Sequence, residues 1–201
     1  RNDMYRANAQ RAKAQSRFAD YHDYLLSLEM TAEIGDFSPL YLQRITQLTN
    51  KSNQFNLTTK RYTAEQMEAV YNSDEYIRLY GKLYDKFGDN GVVAVTIGKT
   101  DSEDKGRLDI ELWLMSCRVL KRDMELAMLD SLVAQAKKRG IREIYGHYYP
   151  TAKNKMVAGL YESFGFEKIS QDEEGNTAWR LLVEGYEDKN TVIKVKEEHY
   201  A

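Results

Sequence analysis

The sequence predicts an α/β fold in which strands and helices alternate through the second half of the chain. Its 201 residues are 42% hydrophobic, enough for one sizeable core or for a core with a small appendage. Residues 110–166 read as strand, turn, helix, strand, turn and helix, in that order. Hairpin turns are predicted at residues 88–91 and 174–176, so antiparallel pairs are expected beside this alternation.

Helices joined by short strands are predicted for the first half of the chain. Residues 3–29 lack Pro and Gly and space their apolar side chains three to four apart, so one long helix is expected. Ser38 with Pro39 marks a helix start, and Thr63 with Gln66 forms a capping box that opens another helix. The expected elements are helices over 3–29, over 38–50 and from 63, a short strand or connector over 30–37, an extended segment over 75–87 and a strand over 92–97.

Residues 107–117 are the next predicted strand, whose side chains should alternate between two faces. Ile110, Leu112 and Leu114 would then share one face. From Glu187 the chain is charged and is expected to be weakly structured at best. The remaining expected elements are helices over 123–140 and 153–164, and strands over 141–148, 166–170 and 177–183.

Charge and composition argue against several classes of partner. The 29 basic and 31 acidic residues nearly cancel, whereas proteins that bind nucleic-acid backbones carry a basic excess. No apolar run approaches the ~20 residues of a membrane helix, and no signal peptide is visible. The single cysteine excludes an intrachain disulfide, which favours the reducing cytoplasm. The histidines His22, His147 and His199 are far apart in the sequence, so no metal site is predicted.

Five short phrases of the sequence point to a known family. They are Asn-Gln-Phe-Asn-Leu-Thr-Thr at 53–59, Phe-Gly-Asp-Asn-Gly at 87–91, Ser-Cys-Arg-Val-Leu at 116–120, Tyr-Pro-Thr-Ala-Lys-Asn at 149–154 and Leu-Tyr-Glu-Ser-Phe-Gly-Phe at 160–166. The last phrase and the order of elements before it resemble the GNAT superfamily of acyl-CoA-dependent N-acyltransferases. The other four, over about residues 25–170, resemble the C-terminal region of FkbH-like proteins. The resemblance implies a GNAT-like mixed, mostly antiparallel, twisted sheet flanked by helices, after a long N-terminal linker helix.

FkbH-like proteins carry a HAD-type phosphatase domain before this region and are associated with loading a glyceryl group onto an acyl carrier protein. The resemblance therefore implies an acyl carrier protein as partner. The implied cofactor is acetyl-CoA, another acyl-CoA or the phosphopantetheine of the carrier. The chain opens at Arg1 rather than Met and contains no Asp-x-Asp phosphatase motif. We expect residues 1–29 to be a linker helix from an N-terminal HAD-like domain, 30–186 a GNAT-like acyltransferase domain and 187–201 a charged tail.

The turn after the 107–117 strand is the expected site of the cofactor pyrophosphate. In acyl-CoA enzymes its backbone N–H groups point at the pyrophosphate from a helix N-terminus. The superfamily pattern has glycines where Lys121 and Asp123 stand, and side chains here would crowd the pyrophosphate, which favours a pantetheine arm carried by a protein. The alternative is an ordinary helix start with acidic residues in its first turn. The expected cofactor contacts are Ser116, Arg118, Val119, Leu120, Lys121, Arg122, Asp123, Met124 and Glu125.

In the GNAT fold the strands before the two core helices splay apart, and pantetheine lies between them. Cys117 ends the first of these strands, so its thiolate would accept an acyl group by transthioesterification, with His147 as the base. The alternative is a small buried cysteine and an uninvolved histidine. Tyr161 falls on the tyrosine that protonates the departing CoA thiolate in GNAT enzymes. It would otherwise be a packing aromatic.

Asn154 is the expected contact of the pantetheine amide, because many GNAT enzymes place an Asn early in this helix. It precedes Tyr161 by about two helical turns, so both should lie on one helix face. Lys153 would meet a phosphate or be solvated. The polar segment 53–59 suits a loop that lines an acceptor pocket, or one whose amides bind their own backbone. The expected acceptor contacts are Asn53, Gln54, Phe55, Asn56 and Thr58.

Three functions compete at this stage. The first is acyl transfer from a thioester of CoA or of a carrier protein, and Asn154, Tyr161 and Cys117 favour it. The second is a non-catalytic module that keeps the GNAT shape and docks an acyl carrier protein for a phosphatase domain, and the missing glycines favour it. The third is a conventional amine N-acetyltransferase, which needs a base that the sequence does not identify.

Overall fold

The computed structural model describes residues 2–198, so His199 lies outside the described residues, and side chains are described as far as residue 196. The strands are β1 (Met30–Gly35), β2 (Tyr76–Asp85), β3 (Gly88–Thr100), β4 (Arg107–Met115), β5 (Glu143–Tyr148), β6 (Glu167–Gln171), β7 (Thr177–Leu182) and β8 (Ile193–Glu198). The helices are α1 (Asn2–Gln15), α2 (Tyr21–Ser27), α3 (Pro39–Lys51), α4 (Ala64–Tyr71), α5 (Met124–Lys138) and α6 (Leu160–Ser163).

The eight strands form one sheet in the order β6–β7–β5–β4–β3–β2–β1–β8. The β4–β5 and β1–β8 pairs are parallel, and the other pairs are antiparallel. One buried cluster joins α2, α5 and α6 to one face of the sheet, and a second joins α3 and α4 to the other face. The predicted fold class, a mixed and mostly antiparallel sheet flanked by helices, is therefore confirmed.

The N-terminal helix is broken into two. One helix over 3–29 was expected, but the chain leaves the helical path between α1 and α2. Asp20 starts the new helix, because its carboxylate accepts a hydrogen bond from the N–H of His22 at 2.8 Å. The break turns α2 so that Leu25 packs in the sheet core. The prediction of one long helix is wrong, whereas its connection to a HAD-like domain stays a prediction.

The C-terminal segment includes a strand. A weakly structured tail was expected from residue 187, but β8 pairs in parallel with β1. Ile193 and Val195 alternate with lysines, which is the period of a strand with one buried face. The carboxylate of Asp130 on α5 accepts the N–H of Lys189 at 2.9 Å and so directs the chain toward β1. The expectation of weak structure is wrong for the described part of this segment.

The turn between β2 and β3 lies earlier than the predicted position at 88–91. Gly88 pairs with Asp85, so residues 86–87 form the turn. The carboxylate of Asp85 accepts the N–H of Phe87 at 2.9 Å, a side-chain turn that outweighs the glycine signal further along.

A bulge in β4 changes the face on which its side chains lie. The register of β3 and β4 shifts after Ile97, and Glu111 has no partner in this ladder. Ile110 therefore packs on the α5 side of the sheet, whereas Leu112 and Leu114 pack on the α3–α4 side. The predicted sharing of one face by these three residues is wrong.

The helix predicted over 153–164 is much shorter. The structure has a 3-10 turn at Lys155–Val157 and then the four residues of α6. Gly159 separates the two, and glycine is a weak helix former. Asn154 therefore precedes the helical turns and does not share a helix face with Tyr161, contrary to the prediction.

Candidate active site

β4 and β5 form a fork. Within the described sheet, residues 107–109 pair with residues 143–145 and the pairing goes no further, although β4 continues to Met115 and β5 to Tyr148. Beyond this point the facing edges of the two strands separate. The resemblance predicts this splay and places a pantetheine arm within it.

The fork is filled by the chain itself. Residues 55–58, here called the plug segment, lie between the two strands and form an isolated antiparallel bridge with β4. The backbone hydrogen bonds are Leu57 N–H to Trp113 O (3.1 Å), Met115 N–H to Phe55 O (3.0 Å) and Tyr149 N–H to Leu57 O (2.9 Å). The plug segment therefore acts as a short strand that joins the β4 edge to the end of β5.

Asn154 holds the plug segment with a fully used amide. Its side chain is completely buried, at 0% exposure. Its hydrogen bonds are Nδ2–H to Asn56 O (2.9 Å) and to Tyr149 O (3.0 Å), and Thr151 N–H (2.7 Å) and Tyr148 O–H (3.3 Å) to Oδ1. A side-chain amide has two donor hydrogens and two acceptor lone pairs, so no capacity remains for a ligand. Asn154 is therefore engaged within the protein in this conformation, and its contact with pantetheine stays a prediction.

The segment predicted to line an acceptor pocket is bound mostly to nearby backbone. The Asn56 amide donates to Ser52 O at 3.1 Å and accepts the N–H of Thr59 at 2.9 Å. The hydroxyl of Thr58 donates to Glu111 O on β4 at 2.7 Å. Of the other predicted acceptor contacts, Phe55 is buried, Asn53 is half-buried and Gln54 is exposed. The side chains of Asn56 and Thr58 thus tie the loop in place, as in the alternative, and the contact of this segment with an acceptor stays a prediction.

The turn before α5 keeps the backbone shape of a glycine turn without glycines. Cys117–Val119 form a 3-10 turn, which Ser116 caps by accepting the N–H of Arg118 at 3.3 Å. The φ angles of Lys121 and Asp123 are +64° and +65°. This left-handed region favours glycine and strains other residues. Lys121 and Asp123 therefore add side chains to the turn, but its backbone keeps the left-handed conformation that glycine favours.

Buried charges connect this turn to the N-terminal helices. Arg122 is buried and forms an ion pair with Asp85 at 3.3 Å. Arg11 on α1 binds the same carboxylate at 2.6 Å. The hydroxyl of Tyr21 on α2 donates to the carbonyl oxygen of Lys121. Arg122, one of the expected cofactor contacts, is therefore engaged inside the protein.

Two carboxyl groups lie at the start of α5. Burial raises the pKa of Asp123, and burial, reinforced by the charge of Asp123, raises the pKa of Glu125. Negative charge is therefore disfavoured at these two positions. Of the remaining predicted cofactor contacts, Val119, Met124 and Ser116 are buried, Leu120 is half-buried, and Lys121 and Lys153 are exposed.

His147 belongs to a charged cluster on the sheet face opposite α5. Its Nε2 lies 2.8 Å from Oδ1 of Asp109, and both side chains are about a quarter exposed, at 23% and 24%. Arg107 donates to both oxygens of Asp109 at 2.9 and 3.0 Å and lies over the ring of Tyr145 at 3.7 Å. Burial alone would raise the pKa of Asp109, but the hydrogen bonds from His147 and Arg107 outweigh it and hold that pKa below its usual range.

The structure does not bring Cys117 next to His147. The register of the fork places Asp109 opposite Tyr145, and hence residue 111 opposite His147. Cys117 lies beyond the end of β4, in the 3-10 turn that follows Met115. Cys117 is exposed, and His147 is engaged with Asp109. The predicted pairing of a cysteine nucleophile with a histidine base is therefore absent from the described conformation.

Tyr161 is a buried aromatic with an unused hydroxyl. Its ring packs against Gly146, where a Cβ would lie 2.5 Å from the ring, and its burial raises its pKa above the usual range. The hydroxyl lies close to the backbone of His147 but forms no well-aligned hydrogen bond with any described residue. Nε1 of Trp113, whose ring meets Tyr161 edge-on at 6.3 Å, is also buried without a partner among the described residues.

Sequence reasoning missed Asp109 and its neighbours on β4. Arg107, Asp109 and Glu111 occupy alternate positions between apolar residues, which was a signal of one polar strand face. Glu111 accepts a hydrogen bond from Lys60 Nζ at 3.2 Å and continues this charged face along the fork.

A pantetheine arm does not fit the described conformation. The left-handed turn and the unpartnered polar atoms of Tyr161 and Trp113 suit such a ligand. However, the plug segment uses the β4 edge that the ligand would need, and Asn154 has no free hydrogen-bonding group. The fork is therefore closed.

Neither a metal-binding cluster nor a membrane-spanning helix is found among the described residues. Among residues 2–198, no group of three or more His, Cys, Asp or Glu side chains is placed to hold a metal ion. No helix of this described range is long and apolar enough to cross a membrane.

Comparisons with known proteins identify the fold. No protein-family model matches the chain, and no curated protein matches it by sequence. The ribosomal-protein-S18-alanine N-acetyltransferase of Escherichia coli is similar in structure, with a TM-score of 0.56 at 14% identity over 80% of this chain and 99% of that one. A putative acetyltransferase of Salmonella typhimurium, solved with acetyl-CoA, gives 0.57 at 14% over 79% and 96%. Ard1 of Thermoplasma volcanium gives 0.56 at 14% over 76% and 97%. The chain therefore has the fold of the GNAT acetyltransferases.

Proposed function

We propose that the chain is an acyltransferase that takes an acyl group from a thioester and delivers it to an amine. The observation that carries this proposal is the fork between β4 and β5, which lies beside a left-handed turn at the start of α5. The similar Salmonella protein has acetyl-CoA as its cofactor. The thioester is that of acetyl-CoA, another acyl-CoA or the phosphopantetheine of an acyl carrier protein.

The cluster of Asp109 and His147 supplies the base for the amine. When Nε2–H of His147 donates to Asp109, Nδ1 keeps its lone pair and accepts a proton from the attacking amine. The carboxylate of Asp109 stays ionised, because hydrogen bonds lower its pKa, and it stabilises the imidazolium that forms. This assignment replaces the cysteine relay as the role of His147 and gives the amine mechanism the base that sequence reasoning lacked.

The resemblance to FkbH-like proteins adds the finer part of the proposal. It supports glyceryl transfer with an acyl carrier protein as partner, a HAD-like phosphatase domain before residue 30, and a cytoplasmic setting. Protonation of the leaving thiolate by Tyr161 belongs to this proposal as well. Acyl transfer through Cys117 is its covalent variant, in which the Cys117 thiolate rather than the amine first attacks the thioester. Cys117 is exposed, and the hydroxyl of Tyr161 has no partner among the described residues.

The proposal is tested by turnover with acetyl-CoA and with an acylated carrier protein against a panel of amines. His147→Gln is expected to lower kcat at least 100-fold, because a positioned base contributes about 10²–10⁴-fold. The control is Glu174→Gln in the exposed β6–β7 hairpin, which should leave turnover unchanged. Undiminished turnover of His147→Gln would remove the histidine from the mechanism. No turnover with any thioester would overturn the proposed function.

A second candidate is a non-catalytic module that docks an acyl carrier protein. The filled fork favours it, because the chain closes its own thioester site. If the chain is such a module, the carrier protein binds without turnover, and His147→Gln leaves that binding unchanged.

A further inference from the structure

The plug segment is an internal occupant of the thioester site. We propose that residues 55–58 are a displaceable strand, and that a pantetheine arm binds by taking their place between β4 and β5. The identity of the incoming group rests on the proposed acyltransferase function. The geometry of the exchange rests on the hydrogen bonds of the fork.

The hydrogen-bonding groups of the plug segment match those of a pantetheine arm. The fork presents one acceptor, Trp113 O, and two donors, the N–H groups of Met115 and Tyr149. The plug segment forms hydrogen bonds with these groups through one backbone N–H and two carbonyl oxygens. A pantetheine arm is an extended chain with two secondary amides, so it also offers N–H donors and two carbonyl acceptors. Exchange therefore preserves the hydrogen bonds of both strand edges.

The plug segment is part of the connection between two helices, and the residues on either side of it are at least partly exposed. It lies in the connection between Lys51, the last residue of α3, and Ala64, the first of α4. Gln54 before it is exposed, and Thr59 after it is only half-buried. Thr59 has a φ of +54°, a strained conformation for a β-branched residue. Displacement releases this strain and leaves the hydrogen bonds within α3 and α4 intact.

The closed state also leaves polar atoms unsatisfied around the segment. The hydroxyls of Thr59 and Tyr161 and Nε1 of Trp113 are buried without partners among the residues described. Buried polar groups are nearly always paired, so these unpartnered atoms disfavour the closed state. A thioester arm brings polar atoms to this place, and Thr59 reaches water when the segment leaves.

Two groups hold the segment in place against this exchange. The side chain of Leu57 is completely buried in the core on the α5 side. The amide of Asn154 donates to Asn56 O. When the segment leaves, this Nδ2–H becomes free, so the same Asn is then available for the incoming arm.

Hydrogen exchange with mass spectrometry tests the displacement. The probes are acetyl-CoA and a phosphopantetheinylated acyl carrier protein, each added to the whole chain. We expect amides of residues 55–59 to lose protection on binding, while those of Met115 and Tyr149 remain protected. Binding or turnover with residues 55–59 still protected would overturn the displacement and leave the proposed function standing.

The Leu57→Ala variant tests whether the plug segment leaves the site when the ligand binds or remains as part of its lining. Removal of the buried side chain weakens the closed state, so we expect the apparent affinity for the probe that binds to rise roughly tenfold or more. Leu83→Ala on β2 is the control, because Leu83 is equally buried away from the fork and should leave affinity unchanged. Weaker or unchanged affinity of a folded Leu57→Ala overturns the proposal. If neither this variant nor the wild type binds either probe, the proposed function falls together with the displacement.

Discussion

Replacement of Asn154 by alanine measures how firmly the plug segment is held. The substitution removes four hydrogen bonds. Two of the groups that lose their bond to Asn154, the carbonyl oxygen of Asn56 and the hydroxyl of Tyr148, are buried. A hydrogen bond contributes about 0.5–1.5 kcal/mol net, and water entering the vacated space offsets part of the loss. We therefore expect the free energy of unfolding to fall by about 2–4 kcal/mol.

Urea denaturation, followed by the fluorescence of Trp113 and Trp179, measures this change. Asn176→Ala is the matched control, because its amide binds Asp172 at 2.8 Å on the exposed β6–β7 hairpin. That variant should lose less than about 0.5 kcal/mol. A loss below about 1 kcal/mol for Asn154→Ala would show that its buried amide does not hold the loop, and that the fork is closed by other contacts.

Three further substitutions test other parts of the structure. The lowered pKa of Asp109 implies that its ionised form stabilises the fold above about pH 4 and that this stability is lost as the pH falls through the folded pKa. Thermal unfolding should therefore separate wild type from Asp109→Asn at pH 7, and the difference should shrink as the pH falls below about 4. Gly146→Ala places a Cβ 2.5 Å from the ring of Tyr161 and should lower the free energy of unfolding by about 1–3 kcal/mol, whereas Gly159→Ala, with nothing within 4 Å, should stay within about 0.5 kcal/mol of wild type in urea. Lys121→Gly relieves a left-handed φ and should raise the melting temperature, with a gain of about 0.5–1 kcal/mol; an unchanged melting temperature would contradict strain at this position.

The starts of two helices were predicted correctly from local signals. α3 and α4 begin where Ser38, Pro39 and Thr63 indicate, because caps act within one helical turn. The helix predicted over 153–164 failed for the opposite reason. The side chain of Asn154 bonds to Asn56, which is far away in the sequence, and such a long-range contact has no local signature.

The candidate site shows the same division between local and distant signals. The sequence pattern located the two glycine positions of the turn, and the structure gives both a left-handed backbone. The plug segment had a polar signature, but its place between β4 and β5 depends on Trp113 and Tyr149, which belong to different strands. The partner of His147 was missed because His147 was assigned from strand order alone, whereas Asp109 is placed beside it by the register of β4 and β5.

Two ends of the fork are held by different parts of the chain. At the proposed thioester end, the plug segment and Asn154 close the fork. At the expected phosphate end, α1 and α2 support the turn through the ion pairs of Asp85 and the hydroxyl of Tyr21. This support from outside explains how the turn keeps left-handed residues that are not glycine, since a strained backbone persists only where its surroundings fix it. Because Asp85 and Tyr21 make no described hydrogen bond to the plug segment, an arm that displaces it leaves the turn in place. Under the proposed displacement, the site therefore opens at one end while the other end stays preformed.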